Sequence, residues 1–170
     1  AVSRWVPDTA ASLIELAGTG WRVSPGLGTD IRYVGGTVGG GEIAGETVLL
    51  DGPLTPAAAS DARLRGRIVL LPVDFSRPLA PDLQDRLEQI ARQALAVVIV
   101  SNRDPATFAS RLAAAAKPRF GPDFRLAREG SPVLEVHRRA FGARDPAGVT
   151  RARIHLERRV LARDLVPNLV

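Results

Sequence analysis

An α/β (α+β) fold is what this sequence predicts, and three observations carry the prediction. Between residues 67 and 116, compact apolar runs alternate with amphipathic helical stretches in the order strand, helix, strand, helix. That is the pattern of a parallel strand pair joined by a right-handed crossover. From residue 150 to 164, apolar and charged residues alternate with a period of two, the signature of a strand with one dry face and one wet face. A hydrophobic share of 45% and a charged share of 24% over 170 residues suit one globular domain with its own core.

Residues 7–17 have the spacing of a short helix. Asp8 or Thr9 caps the first amides, Leu13, Ile14 and Ala17 share a face, and Gly18 and Gly20 stop it. Residues 21–24 and 30–34 read as short strands separated by Pro25-Gly26-Leu27-Gly28. The glycine cluster Gly35, Gly36, Gly39, Gly40 and Gly41 suits turns and bulges between strands of a curved sheet. No Gly-Lys-Ser/Thr follows it, as a phosphate loop requires, and it precedes the apolar run 46–50 rather than opening a helix as a dinucleotide fingerprint must.

Residues 56–62 suggest a helical turn, and residues 67–73 a buried strand bounded by Gly66. The helix expected over 81–94 starts near Pro81 and places Leu83, Leu87, Ile90, Ala91 and Ala94 on one apolar stripe. Residues 95–100 are apolar and β-branched enough for a strand buried on both faces. Asp104 caps and Pro105 begins a helix to about residue 116, with Phe108, Leu112 and Ala115 inward. Residues 117–130 read as a surface loop, 132–137 as a strand, and 140–147 as a short irregular or helical piece. In the strand expected over 150–164, Ala152, Ile154, Leu156, Val160 and Ala162 share one face, and Arg151, Arg153, His155, Glu157, Arg159 and Arg163 share the other.

The net charge of +5 is unevenly placed. Residues 1–116 carry a net charge of −1 and residues 117–170 a net charge of +6, with Lys117 the one lysine in the chain. A basic stripe can attract phosphates or an acidic partner. The aromatic platforms that nucleic-acid binders interleave are missing from this third, which holds Phe120, Phe124 and Phe141 alone. A solvated strand face accounts for the excess.

Inventory removes most catalytic chemistry. Without cysteine there is no disulfide, thiolate metal site or thiol nucleophile. His137 and His155 lie in no metal-binding spacing, and both read as surface histidines. No Gly-x-Ser-x-Gly turn exists, and Ser101-Asn102, although it follows a strand, is best explained as a turn. Asp51, Asp74 and Asp104 lie near strand ends, where paired carboxylates could meet in three dimensions.

The order of segments resembles a known family. Residues 45–50 (Gly-Glu-Thr-Val-Leu-Leu), then 64–71 (Leu-Arg-Gly-Arg-Ile-Val-Leu-Leu), resemble the paired strands of the protease-associated domain, with Arg67 where lysine is common. The helix 81–94 running into 94–100 (Ala-Leu-Ala-Val-Val-Ile-Val) is similar to the family's next unit, with Ala94 at the usual glycine. Residues 131–136 (Ser-Pro-Val-Leu-Glu-Val) resemble a later strand, and the likeness covers residues 42–141 or so. It implies a swivelling β/β/α domain over 31–166, a curved β sheet or open barrel flanked by short helices, after an unassigned lead-in segment over 1–30.

Residues 161–170 look like the junction through which this domain enters the catalytic domain of secreted zinc aminopeptidases and their carboxypeptidase relatives. Residues 167–170 then stand as the start of that downstream domain, and the absence of methionine agrees with a piece of a longer chain. The resemblance implies that this chain holds no catalytic, cofactor-binding or metal-binding residue. Zinc and its ligands belong to a hydrolase domain after Val170. The partners implied are that domain of the same polypeptide and a peptide or protein substrate, in a bacterial secreted, periplasmic or cell-surface setting. Two other hypotheses come from the residues themselves. One is a basic-face module for nucleic acid or an acidic partner, and the other an independent hydrolase using Asp74 and Asp104.

Overall fold

The structure, a computed structural model, describes residues 2–39, 41–122 and 130–164. Strands β1 (Val2–Pro7), β2 (Leu13–Gly18), β3 (Trp21–Val23), β4 (Ile31–Gly35) and β5 (Glu42–Leu49) come first. Then follow α1 (Pro56–Ala59), β6 (Ile68–Val73), α2 (Leu83–Ala91), β7 (Ala96–Ser101) and α3 (Pro105–Ala115). Strands β8 (Arg119–Pro122), β9 (Val133–His137), β10 (Val149–His155) and β11 (Arg158–Asp164) complete the order, with short 3-10 turns at Ala62–Leu64, Arg138–Phe141 and Pro146–Gly148.

Eight strands form one curled sheet in the order β3-β2-β10-β5-β6-β7-β9-β4. Its centre, β5-β6-β7-β9, is parallel, and the flanking strands are antiparallel. The expected crossover is present: β6, α2 and β7 lie in sequence, with Ile68 beside Ala96 and Val73 beside Ser101. A second sheet of three strands, β11-β1-β8, is antiparallel. The protein is thus a mixed α+β domain built on a curled half-barrel with few, short helices.

Period-two alternation sorts the central strands into two cores. Ile68 and Leu70, Ala96, Val98 and Val100, and Leu134 and Val136 face the concave side, where they meet Ile14, Leu16, Ile154 and Phe141. Trp5 from the small sheet closes this interior, its ring edge-on to Tyr33 at 6.2 Å. Val69 and Leu71, Val97 and Ile99, and Val133 face the convex side, covered by Leu87, Ile90 and Ala91 of α2 and by Ala59 of α1. Every residue of β7 is buried, as expected for a strand covered on both faces.

The Asp104 cap expected from the sequence is in place. Asp104 accepts from the Ala106 and Thr107 amides at 3.1 and 3.0 Å at the start of α3, and Thr55 caps α1. The glycine cluster turns the chain: Gly36 has φ +87°, and a Cβ there would lie 2.3 Å from the Ser131 carbonyl oxygen. The β4–β9 register shifts between Tyr33 and Gly35.

Three expectations are corrected. Residues 7–17 are not a helix; they are the end of β1, a turn and most of β2. Asp8 does cap amides there, those of Ala10 and Ala11, but within the turn. The apolar residues then follow a strand's period, with Ile14 and Leu16 inward and Leu13 exposed. Within the supposed loop 117–130, Arg119–Pro122 is a strand paired with β1, and residues 123–129 lie outside the described residues. The single long strand expected over 150–164 is two strands in two different sheets, broken at Leu156 and Glu157. Val160 is exposed as a result, not dry like Ile154. Of the junction expected over 161–170, residues 165–170, including the expected domain start over 167–170, lie outside the described residues.

Candidate functional site

In an open sheet with parallel strands, ligands favour the crevice at the strands' carboxyl ends. Here that end gathers Asp74 after β6, Ser101 at the end of β7 with Asn102 to Asp104 after it, and Glu135 and His137 on β9. The neighbouring β4 adds Arg32, paired in register with Glu135.

Glu135 is fully buried and sits between two guanidinium groups. Arg32 donates to Oε2 from Nε at 2.9 Å and from Nη2 at 2.6 Å, and Arg103 donates from Nε to Oε1 at 2.7 Å. Burial pushes the Glu135 carboxyl up. Hydrogen bonds from Arg32, Ser101 and Arg103 outweigh that push and hold it below its ordinary value of 4.5. Arg103 also lies over the Phe75 ring, 3.6 Å from its centroid, so it is clamped on two sides.

Asn102 ties the two loops together. Its Nδ2 donates to Asp74 Oδ1 at 2.7 Å, and its Oδ1 accepts from the Phe75 amide at 2.7 Å. The Ser76 hydroxyl and amide reach the same Asp74 oxygen at 2.5 and 3.0 Å. The Ser76 hydroxyl, then Asn102 and the Ser76 amide, draw Asp74 down to about 2. Asp104 is likewise lowered, first by the Thr107 hydroxyl and then by the Thr107 amide. Carboxylates held this acidic are weak proton acceptors near neutrality. Asp74 braces a turn and Asp104 caps a helix, while Asp51 accepts from the Gly52 amide at 2.9 Å. These bonds give Asp74 and Asp104 structural duties at a turn and a helix start.

The shifts fix an acid response. A carboxyl whose folded value is depressed contributes stability above its unfolded value, and that contribution is lost as pH falls toward the folded one. Stability from Asp74 and Glu135 is therefore complete above pH 4.5 and declines below it, for Asp74 between 3.8 and about 2. Urea unfolding at stepped pH should show a plateau from 7 to 5 and a fall below 4. Asp74→Asn should reduce the fall without abolishing it, since Glu135 keeps its share.

The two histidines differ. His137 is not a surface residue as expected: it is 8% exposed, its ring 4.9 Å from that of Phe108. Its Nδ1 accepts from the Arg139 amide at 3.1 Å, and its Nε2 lies 2.8 Å from the Arg103 carbonyl oxygen, which assigns the proton to Nε2. His155 is half-exposed and lies 3.0 Å from Glu157. Among the described residues no group of three or more His, Cys, Asp or Glu could hold a metal ion.

On β10, Arg153 meets Glu42 of β5 at 3.0 Å. Two further pairs lie on other strands of the same sheet or beside them, Arg22 with Glu15 at 3.6 Å and Arg67 with Glu46. On the convex side, a groove of about 860 Å³ is lined by Val34, Gln84, Leu87, Glu88, Arg92 and Ser131. Among the described residues, no helix is long and apolar enough to cross a membrane.

The buried Glu135 cluster escaped the sequence reading. Its one advance signal was a glutamate inside an otherwise apolar strand, which burial obliges to find a cation.

No family model matches the chain, and no curated protein matches it. A solved structure does: the Peptidase M28 precursor from Shewanella amazonensis SB2B is similar over 94% of this chain, with a TM-score of 0.51 and 12% identity. The chain spans 37% of that protein's length. At this identity the likeness is one of fold, so the curled half-barrel described above is an architecture also found within a peptidase precursor.

Proposed function

We propose that the chain is a protease-associated accessory domain of a zinc-dependent aminopeptidase-like protein. In this reading it borders the active-site cleft of a peptidase domain in the same polypeptide and restricts which peptides or proteins enter. The observation that carries it is the fold likeness to part of a peptidase precursor, over nearly the whole of this chain. The strand-end chemistry supports it. Glu135, Asp74, Asp104 and His137 are each committed to holding loops and helices in place. The metal and the bond-breaking groups belong to the peptidase domain, and the setting is a secreted, periplasmic or cell-surface one.

The parent polypeptide should then carry a His-x-Asp metal motif soon after residue 170; a parent without a metallopeptidase domain overturns the proposal. In the intact enzyme, loop substitutions at this domain's strand ends should raise KM for long peptides and leave kcat on short ones unchanged. A fall in kcat on short substrates with KM constant would count against an access role.

A further inference from the structure

The groove of about 860 Å³ on the convex side lies between α2 and the paired ends of β4 and β9. Val34, Leu87 and Val133 of the convex core give it an apolar floor. Gln84, Glu88 and Arg92 follow one another at four-residue steps along α2, so they share a helix face and form one wall. The opposite wall is backbone, because Gly35, Gly36 and Gly130 stand along it. The fold demands only one of these glycines. Gly36 has φ +87°, and a Cβ there would strike the Ser131 carbonyl. Gly35 and Gly130 lie outside the left-handed region, and a Cβ at either would have nothing within 4 Å. Gly35 pairs with Val133, so a side chain at position 35 would stand on the convex face and enter the groove. Glycine weakens a strand, and one that neither conformation nor crowding requires marks a place where another backbone approaches closely.

We propose that this groove binds an extended peptide segment with small apolar side chains and one lysine or arginine. The inference rests on the function proposed above for the source of the peptide alone. Length, polarity and charge favour this occupant. The wall from Gln84 to Arg92 is about 12 Å of helix, which about four residues of extended chain would span. Its amide, carboxylate and guanidinium groups match the N–H and C=O groups of a peptide backbone. A lipid tail would strip their water and return no hydrogen bond. Glu88 is loosely held: Gln84 Nε2 donates to it at 3.3 Å, Arg92 Nη2 lies 3.9 Å away, and its side chain is 55% exposed. A cation on the occupant would complete its pairing. Alternate side chains of an extended segment then reach the apolar floor, and the basic one between them reaches the rim.

The probe is the hexapeptide Ala-Val-Lys-Val-Ala-Ala, acetylated and amidated, titrated into the 170-residue chain and followed by amide NMR. Amides of residues 34–36, 84–92 and 130–133 should shift and saturate, and free amino acids should move none of them. The same peptide with glutamate in place of lysine should bind about threefold more weakly, the scale of a partly exposed ion pair. Gly35→Val should unfold at the same temperature or higher, since its site is open and valine suits a strand. It should bind the peptide about tenfold more weakly by filling the groove. Glu88→Gln, on the helix surface, should erase the difference between the two peptides, and it decides the matter if Gly35→Val fails to fold. Shifts confined to other surfaces, no shift at all, or full binding by folded Gly35→Val would overturn the proposal. So would groove amides that move on dilution of the chain alone, which assigns the groove to a second copy, or contacts into it from another part of the same chain. Any of these leaves the accessory role standing. A parent without a metallopeptidase domain removes that role and leaves the measured peptide binding in place.

Discussion

Glu135→Gln should destabilise the protein by about 3–5 kcal/mol, the usual result of removing one partner from a buried ion pair. The substitution preserves shape and removes charge, leaving Arg32 and Arg103, at 17% and 13% side-chain exposure, facing a neutral amide. The Gln oxygen can keep either both Arg32 hydrogen bonds or the one from Arg103, and its NH₂ then points at the other arginine. The effect should reach beyond β9. Arg103 follows β7 and stacks on Phe75 after β6, so both loops loosen together. Urea denaturation at pH 7 reads the loss. A change under 1 kcal/mol, a size typical of exposed pairs, would show that the cluster is hydrated.

Phe108→Ala should cost about 3–5 kcal/mol, as for large aromatic truncations in packed interiors. Phe108 is the residue that α3 buries, at 0% exposure, between the His137 ring and the Arg139 guanidinium. The Asp104 cap and Pro105 start α3 well, yet a helix of eleven residues needs a packed face to persist in water. Hydrogen exchange in the variant should show α3 opening ahead of the sheet. Uniform loss of protection across sheet and helix would mean that Phe108 serves the whole core.

The middle of the fold was legible because its signals are local. In α2 the apolar stripe and in α3 the Asp104-Pro105 start each fall within one element, and the doubly apolar runs of β6 and β7 can hardly be anything but buried strands. The failures share a cause of the opposite kind. Leu13, Ile14 and Ala17 fit a helical face as well as a strand; pairing of β2 with β10, some 140 residues away, decides between them. The apolar parity of 150–164 is interrupted at Arg158 alone, just after Leu156 and Glu157, and one charged residue on that face is too weak a local signal to report that the chain changes sheets there. Glu135 finds Arg32 across 103 residues and Arg103 across 32, distances at which a side chain's partner is set by topology alone. His137 passed for a surface group because Arg138 and Arg139 follow it, whereas the strand turns its ring under Phe108.

The change of sheets at Leu156 and Glu157 has a mechanical consequence. The chain passes between the two sheets four times, and two of these passages, β1 to β2 and β10 to β11, lie beside each other. The Asp8 amide bonds the Glu157 carbonyl at 2.8 Å, and the Glu157 amide bonds the Ser12 hydroxyl at 3.0 Å, so the passages are laced side by side. A two-ply ribbon bends readily out of its own plane and resists sliding within it. Movement of the small sheet at this edge therefore draws both laced passages together, and with them the Trp5 ring that packs into the interior.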